Sequence, residues 1–270
     1  MNTIINGKST AFTDHPGSEP ALICIHGNSL SRAEFSPLLE SERLKKYRII
    51  TYDLPGHGES DSPVDHTVTC TLRGYADHLA ALIRYLGIER YILFGVSLGG
   101  HIAIEAVAEG LRPAPAGIVT FGTPPLGGVR DLPEAFLPGP EGPSLFQAEI
   151  SLEEAEGIVY LLTDDPEVRK RCVQEILSTD PKARTALMAG LGLQSFHDEI
   201  DFVHRTEISL LLGFGEKERV VSMKYLEDRG LFDGLKDSLR IFEGCAHLPD
   251  MASNGEFIKE LVSFLERFDT

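Results

Sequence analysis

The chain has 270 residues, 42% hydrophobic and 24% charged, enough for one catalytic domain with a sizeable core or a core carrying one inserted subdomain. Its 25 Lys and Arg face 41 Asp and Glu, and the formal charge of -16 repels polyanions, so nucleic acid and acidic membrane surfaces are excluded as partners while small neutral molecules remain open. Cys24, Cys70, Cys172 and Cys245 lie far apart without a Cys-x-x-Cys pair, which argues against a zinc knuckle or redox motif and leaves buried free thiols; no metal or other cofactor is expected.

The first ten residues lack the basic head and apolar run of a signal peptide, and no stretch reaches the roughly 18 apolar residues of a membrane span, so a cytoplasmic protein is expected. Short β-branched runs at residues 21–25, 48–52, 91–94, 117–121, 208–214 and 239–242 read as buried strands. Amphipathic patterns at 72–86, 98–108, 221–230 and 257–268 read as helices, and the alternation predicts an α/β fold with a mostly parallel sheet covered on both faces. The alternation breaks over 124–206. A stretch rich in Pro and Gly (Pro124, Pro125, Gly127, Gly128, Pro133, Pro138, Pro140, Pro143) leads into consecutive helices, marked by the capping-box pair Ser151 and Glu154 and by Asp165-Pro166 and Asp180-Pro181. The expected organisation is a core of 1–123 and 207–270 interrupted by a helical lid of 124–206.

The strongest chemical signal is Gly95-Val96-Ser97-Leu98-Gly99, between an apolar strand and a helix. A serine on so tight a turn needs small neighbours, and the arrangement matches a nucleophile elbow that presents the Ser97 hydroxyl above the strand ends. The N–H of Leu98, at the positive end of that helix, is a candidate oxyanion donor. In a fold with this elbow, the loop after the 21–25 strand supplies the second donor, here the N–H of Asn28 in His26-Gly27-Asn28-Ser29, with the Asn28 amide available to a polar substrate atom. His26 is expected to hold that loop, and His57 to serve the turn Asp53-Leu54-Pro55-Gly56-His57-Gly58. A serine hydroxyl needs a base and an acid that orients it. His247, in Gly244-Cys245-Ala246-His247-Leu248-Pro249, is the one histidine after the last strand and is the candidate base. The acid belongs after the 208–214 strand, in Gly215-Glu216-Lys217-Glu218; the usual spacing selects Glu218, with Glu216 as the alternative.

On these residues the chain resembles the α/β-hydrolase superfamily over nearly its whole length. Within it, the chain resembles the metal-independent N-acylhomoserine lactonases, through the motifs above together with Gly74-Tyr75-Ala76-Asp77, Gly99-Gly100-His101-Ile102, Gly122-Thr123-Pro124-Pro125 and a glutamate acid at Glu218. Val96 stands where such enzymes often carry tryptophan, a residue this chain lacks. The resemblance implies an amphiphilic lactone substrate and quorum quenching. Lid side chains Phe136, Phe146, Tyr160, Leu187, Met188 and Leu191 could line an acyl pocket or pack the lid against the core, with Tyr160 and Met188 the candidate substrate contacts. The alternatives are a carboxylesterase acting on short acyl esters with the same triad and, in a different class, a ligand-binding homologue without catalysis. A fluorophosphonate probe that labels Ser97 separates the latter from both enzymes.

Overall fold

A computed structural model describes residues 1–138, 143–251 and 255–269. Eight strands, β1 (Asn2–Ile5), β2 (Lys8–His15), β3 (Ser18–Ile25), β4 (Tyr47–Tyr52), β5 (Tyr91–Val96), β6 (Gly117–Phe121), β7 (Ser209–Gly215) and β8 (Leu239–Phe242), form one sheet in the order β1-β2-β4-β3-β5-β6-β7-β8. All pairings from β4 to β8 are parallel, while β1 and β2 run antiparallel. Every residue of β5 and β6 is buried, the pattern expected of central strands covered on both faces.

The two N-terminal strands are the main addition to the expected fold. Ile5 pairs with Lys8 across Asn6-Gly7, and both turn residues take positive φ (49° and 76°), the two-residue turn whose twist matches the strands it joins.

The first four helices are α1 (Ser36–Glu40), α2 (His66–Thr69), α3 (Leu72–Leu86) and α4 (Leu98–Ala108). Alternate residues of β3 face opposite ways: Ala21, Ile23 and Ile25 pack with α3 and α4, whereas Leu22 and Cys24 pack with α1 and the C-terminal helix. After β6 come α5 (Leu132–Ala135), α6 (Leu152–Leu162), α7 (Pro166–Ser178), α8 (Pro181–Gly192) and α9 (Glu199–Arg205), and between β6 and β7 the described residues hold no sheet strand. Pro140 of the expected entry segment lies outside the described residues. The Ser151/Glu154 capping box forms in both directions, and Asp165 and Asp180 cap α7 and α8 with proline at the first helical position. The pattern at 221–230 resolves into α10 (Met223–Asp228), capped by Ser222, followed by α11 (Leu231–Gly234); α12 (Glu256–Glu266) closes the fold. Among the described residues no helix is long and apolar enough to cross a membrane.

Candidate active site

At the C-terminal end of β5 the chain turns into α4 through Ser97, whose φ of 51° and ψ of -115° are left-handed for a residue with a side chain. Such a conformation costs about 1–2 kcal/mol and persists only where its surroundings enforce it. The enforcement comes from packing without side chains. A Cβ on Gly95 would lie 2.2 Å from the Gly99 carbonyl carbon, and one on Gly99 would lie 1.9 Å from the Ile25 carbonyl oxygen.

The backbone around Ser97 is held by its carbonyl groups. Ser97 N–H donates to Phe121 O at 2.8 Å, and Ser97 O accepts from Gly100 N–H and from the Thr123 hydroxyl, both at 2.9 Å. A trans peptide is planar, so fixing the Ser97 carbonyl turns the Leu98 N–H the opposite way, and the first N–H of a helix has no partner inside it. The His26-Gly27-Asn28 loop repeats this device. Gly27 O accepts from the His26 ring Nδ1 at 2.8 Å and from Leu30 N–H at 3.2 Å, which turns Asn28 N–H away from both. The loop lies against the elbow, since a Cβ on Gly27 would be 3.7 Å from Ser97 Cβ.

His26 is the clamp that the sequence suggests. Its Nε2 accepts the Leu54 N–H at 3.0 Å while Nδ1 donates to Gly27 O, an arrangement only the neutral ring can make. Burial pushes its pKa down to about 4, so that ring stays neutral. His57 is buried too, and burial followed by the nearby His26 brings it down to about 3. The Asn28 side chain ties this loop to the insertion: its Nδ2 donates to Leu145 O at 3.0 Å and its Oδ1 accepts from Ser29, which leaves one amide hydrogen outside these bonds.

His247 and Glu218 are brought together in the core, with side chains 2% and 0% exposed. His247 Nδ1 lies 3.0 and 3.1 Å from the two Glu218 oxygens. Glu218 Oε1 also accepts the N–H groups of Arg219, Val220 and Val221 at 2.9, 2.8 and 3.2 Å. Burial alone would raise this carboxyl, yet His247 and those backbone donors carry it below its ordinary value, so it is an anion. Glu216, the alternative acid, is exposed and accepts the Gly244 N–H at 3.1 Å. His247 packs on Gly122, which lies between the two residues that hold the Ser97 backbone, follows β6 with φ of 64° and leaves only 2.8 to 2.9 Å between a built Cβ and the His247 backbone and ring. The Ser97 hydroxyl has no hydrogen-bond partner among the described residues, His247 included; such bonds often tighten only when substrate binds. Gly122→Ala is therefore expected to displace the imidazole and to lower kcat about 100-fold, the usual cost of misplacing a reacting group by an ångström, with the fold retained by circular dichroism.

The two candidate substrate contacts of the insertion are both exposed. Tyr160 is 57% exposed with the Arg169 guanidinium over its ring, and Met188 is 42% exposed. Leu187 and Leu191 are buried in the core, and Phe136 and Phe146 pack against it. Thr123 is the positioning residue that motif reading passes over, although it stands in Gly122-Thr123-Pro124-Pro125. A second is His101, one turn beyond Ser97, whose Nδ1 lies 2.8 Å from Glu199 of α9; Glu199 also accepts the Leu126 N–H, tying α4 to the insertion. Glu105, Glu109 and His197 bring three possible metal ligands together, but Arg73 pairs with Glu109 and His197 with Glu105, so the cluster is already satisfied.

Comparison with known proteins gives the family of the chain. Residues 22–260 match the model of the alpha/beta hydrolase family. Over 107 residues the chain is 36% identical to 2-succinyl-6-hydroxy-2,4-cyclohexadiene-1-carboxylate synthase of Pectobacterium atrosepticum, a match spanning 40% of either chain. Over 95% of its length and 90% of the relative it is 28% identical to a 2-hydroxy-6-oxononadienedioate/2-hydroxy-6-oxononatrienedioate hydrolase of Burkholderia vietnamiensis. Among solved structures, N-acyl homoserine lactonase AidH complexed with N-butanoyl homoserine superposes with a TM-score of 0.86 at 28% identity, covering 99% of this chain and 95% of AidH. With the family model matched over residues 22–260, the chain belongs to the alpha/beta hydrolase family.

Proposed function

We propose that the protein is a serine hydrolase that opens ester or lactone bonds through Ser97, His247 and Glu218, with N-acylhomoserine lactones as its preferred substrates. The observation that carries the hydrolase reading is the buried His247–Glu218 pair, 3.0 Å apart, with His247 packed on Gly122. The choice of lactone rests on the likeness to AidH over 99% of the chain, and the helices between β6 and β7, within 124–206, are proposed as the lid over the acyl group.

In this mechanism Ser97 Oγ attacks the ester carbonyl while His247 Nε2 takes its proton, and Glu218 holds the Nδ1–H tautomer and stabilises the imidazolium. The N–H groups of Asn28 and Leu98 bind the oxyanion; one such donor contributes about 3 kcal/mol to the transition state. Expulsion of the alkoxide, protonated by His247, leaves an acyl-enzyme. With a lactone the leaving alcohol stays tethered to the acyl group, so water activated by His247 must add before the ring recloses. A short ester releases its alcohol and lacks that competition.

Incubating the purified protein with acylhomoserine lactones of graded chain length and with p-nitrophenyl esters, and detecting the gain of one water by mass spectrometry, tests the substrate assignment. Faster turnover of the lactones is expected. Turnover confined to the short esters would assign the protein as a carboxylesterase with the same triad.

A further inference from the structure

Beneath the Asn28 loop lies a second pair of acids that the triad does not use. Glu34, 3% exposed, accepts the Gly27 N–H with Oε2 at 3.0 Å. Glu175, on α7 of the insertion, accepts the Ser31 hydroxyl with Oε1 at 2.8 Å. One oxygen of each carboxyl, Glu34 Oε1 and Glu175 Oε2, is buried without a hydrogen-bond partner, and so is Arg171 Nε, 3.8 Å from Glu175 Oε1. Buried polar atoms left unsatisfied in one cluster call for an explanation, because each keeps the desolvation cost of a lost partner.

The positions of these groups supply it. Glu34 holds the peptide that enters Gly27, and His26 and Leu30 hold the carbonyl that leaves it, so the direction of Asn28 N–H depends on Glu34. Glu175 binds the far end of the same loop from the insertion, and Leu145 binds its middle through Asn28 Nδ2. We propose that Glu34 and Glu175 form a carboxyl clasp that positions the oxyanion loop against helix α7, so that the insertion sets where the Asn28 N–H points. These are positioning residues and touch no substrate, and the inference rests on the hydrolase reading above.

The clasp carries a pH dependence. Burial pushes the Glu34 carboxyl up to about 8; the Gly27 N–H and Arg171 oppose that rise and Glu175 adds to it. Burial raises Glu175 as well, against the pull of Ser31 and Arg171, with Asp53 adding to the rise. The other titratable groups around the pair are Cys24 on β3 and Cys172 on α7. Burial holds the first thiol well above its ordinary value and pushes the second up to about 12, so neither ionises where Glu34 does. Below about 8 a neutral Glu34 sits beside Glu175; above it two buried anions repel and the loop loses its hold.

The test compares Glu34→Gln, Glu34→Ala and Glu175→Gln with the parent and with Ser97→Ala. Glu34→Gln keeps an acceptor for Gly27 N–H, so kcat is expected within a few-fold of the parent, without the fall in kcat that the parent shows above about 8. Glu34→Ala removes the acceptor, and kcat is expected to drop about 10- to 100-fold with KM little changed, because an oxyanion donor acts in the transition state. Glu175→Gln removes the second charge, so the fall in kcat above about 8 is expected to disappear there as well. Glu34→Ala with unchanged kcat, or one alkaline limb common to parent, Glu34→Gln and Glu175→Gln, overturns the clasp. Melting temperature gives a readout independent of turnover. The stability due to protonated Glu34 is complete below the ordinary carboxylate range and is lost as pH rises to about 8, so the advantage of Glu34→Gln over the parent widens across that interval and then levels. If Ser97→Ala keeps full turnover, the hydrolase reading fails by itself and the melting temperatures decide: a gap that does not move with pH removes the clasp.

Discussion

Replacing Ser97 with alanine is expected to lower kcat about 10⁶-fold, the scale of losing a triad nucleophile, while KM changes far less. In the proposed mechanism the hydroxyl forms the covalent bond, so no neighbour substitutes for it. The remaining activity would be whatever the Asn28 and Leu98 N–H groups and substrate binding supply, about 10³- to 10⁴-fold over water. A second substitution at the same position separates chemistry from strain. Ser97 takes φ of 51°, which alanine tolerates no better than serine, whereas glycine adopts it freely. Ser97→Gly should be equally inactive but melt above Ser97→Ala, and a difference of about 1 kcal/mol corresponds to about 2–4 °C for a domain of this size. Steady-state rates and thermal denaturation of both variants check the two halves. Equal melting temperatures would mean that the elbow stores no strain, and full activity in Ser97→Ala would remove the serine mechanism.

The elbow is legible in sequence because its constraint is local: small residues must flank the serine, and Gly95 and Gly99 stand where a Cβ would strike backbone. His247 is legible by its position after the last strand. The choice between Glu216 and Glu218 is not a matter of local pattern. Both follow β7 within three residues, and what separates them is the turn that brings three backbone N–H groups onto Glu218 and sends Glu216 to Gly244. The bond that fixes the Asn28 side chain is not legible in sequence, because the carbonyl that takes its amide belongs to Leu145, 117 residues away. Glu34 gives no signal at all in sequence: a carboxyl between Ala33 and Phe35 looks like a solvated surface charge until tertiary packing buries it. A criterion based on apolar runs likewise passes over β1, where Ile4 is 65% exposed, although Asn6-Gly7 marks its hairpin.

Glu218→Gln is the companion prediction, with an expected loss in kcat of about 10⁴-fold at near-unchanged geometry. The three backbone N–H groups that converge on Glu218 Oε1 would hold the carbonyl oxygen of glutamine there. Its NH₂ group then takes the place of Oε2, 3.1 Å from His247 Nδ1, and donates to it. A histidine that accepts at Nδ1 carries its proton on Nε2, the nitrogen that must receive the serine proton, so the base is lost by tautomer with no atom displaced. Glu218→Asp keeps the charge and the tautomer but withdraws the carboxylate by one methylene, and should lose much less. The stability of these variants also has a defined sign. His247 and the backbone donors hold Glu218 below its ordinary value in the folded protein, so its charge contributes stability above the ordinary carboxylate range that is lost as pH falls through the lowered value. Glu218→Gln should therefore melt below the parent at neutral pH and converge with it in acid. Turnover rates, with the tautomer read from ¹⁵N chemical shifts of the His247 ring, test the scheme. A parent-like Nδ1–H in Glu218→Gln, or a loss no larger than in Glu218→Asp, would assign the acid a packing role in place of an electrostatic one.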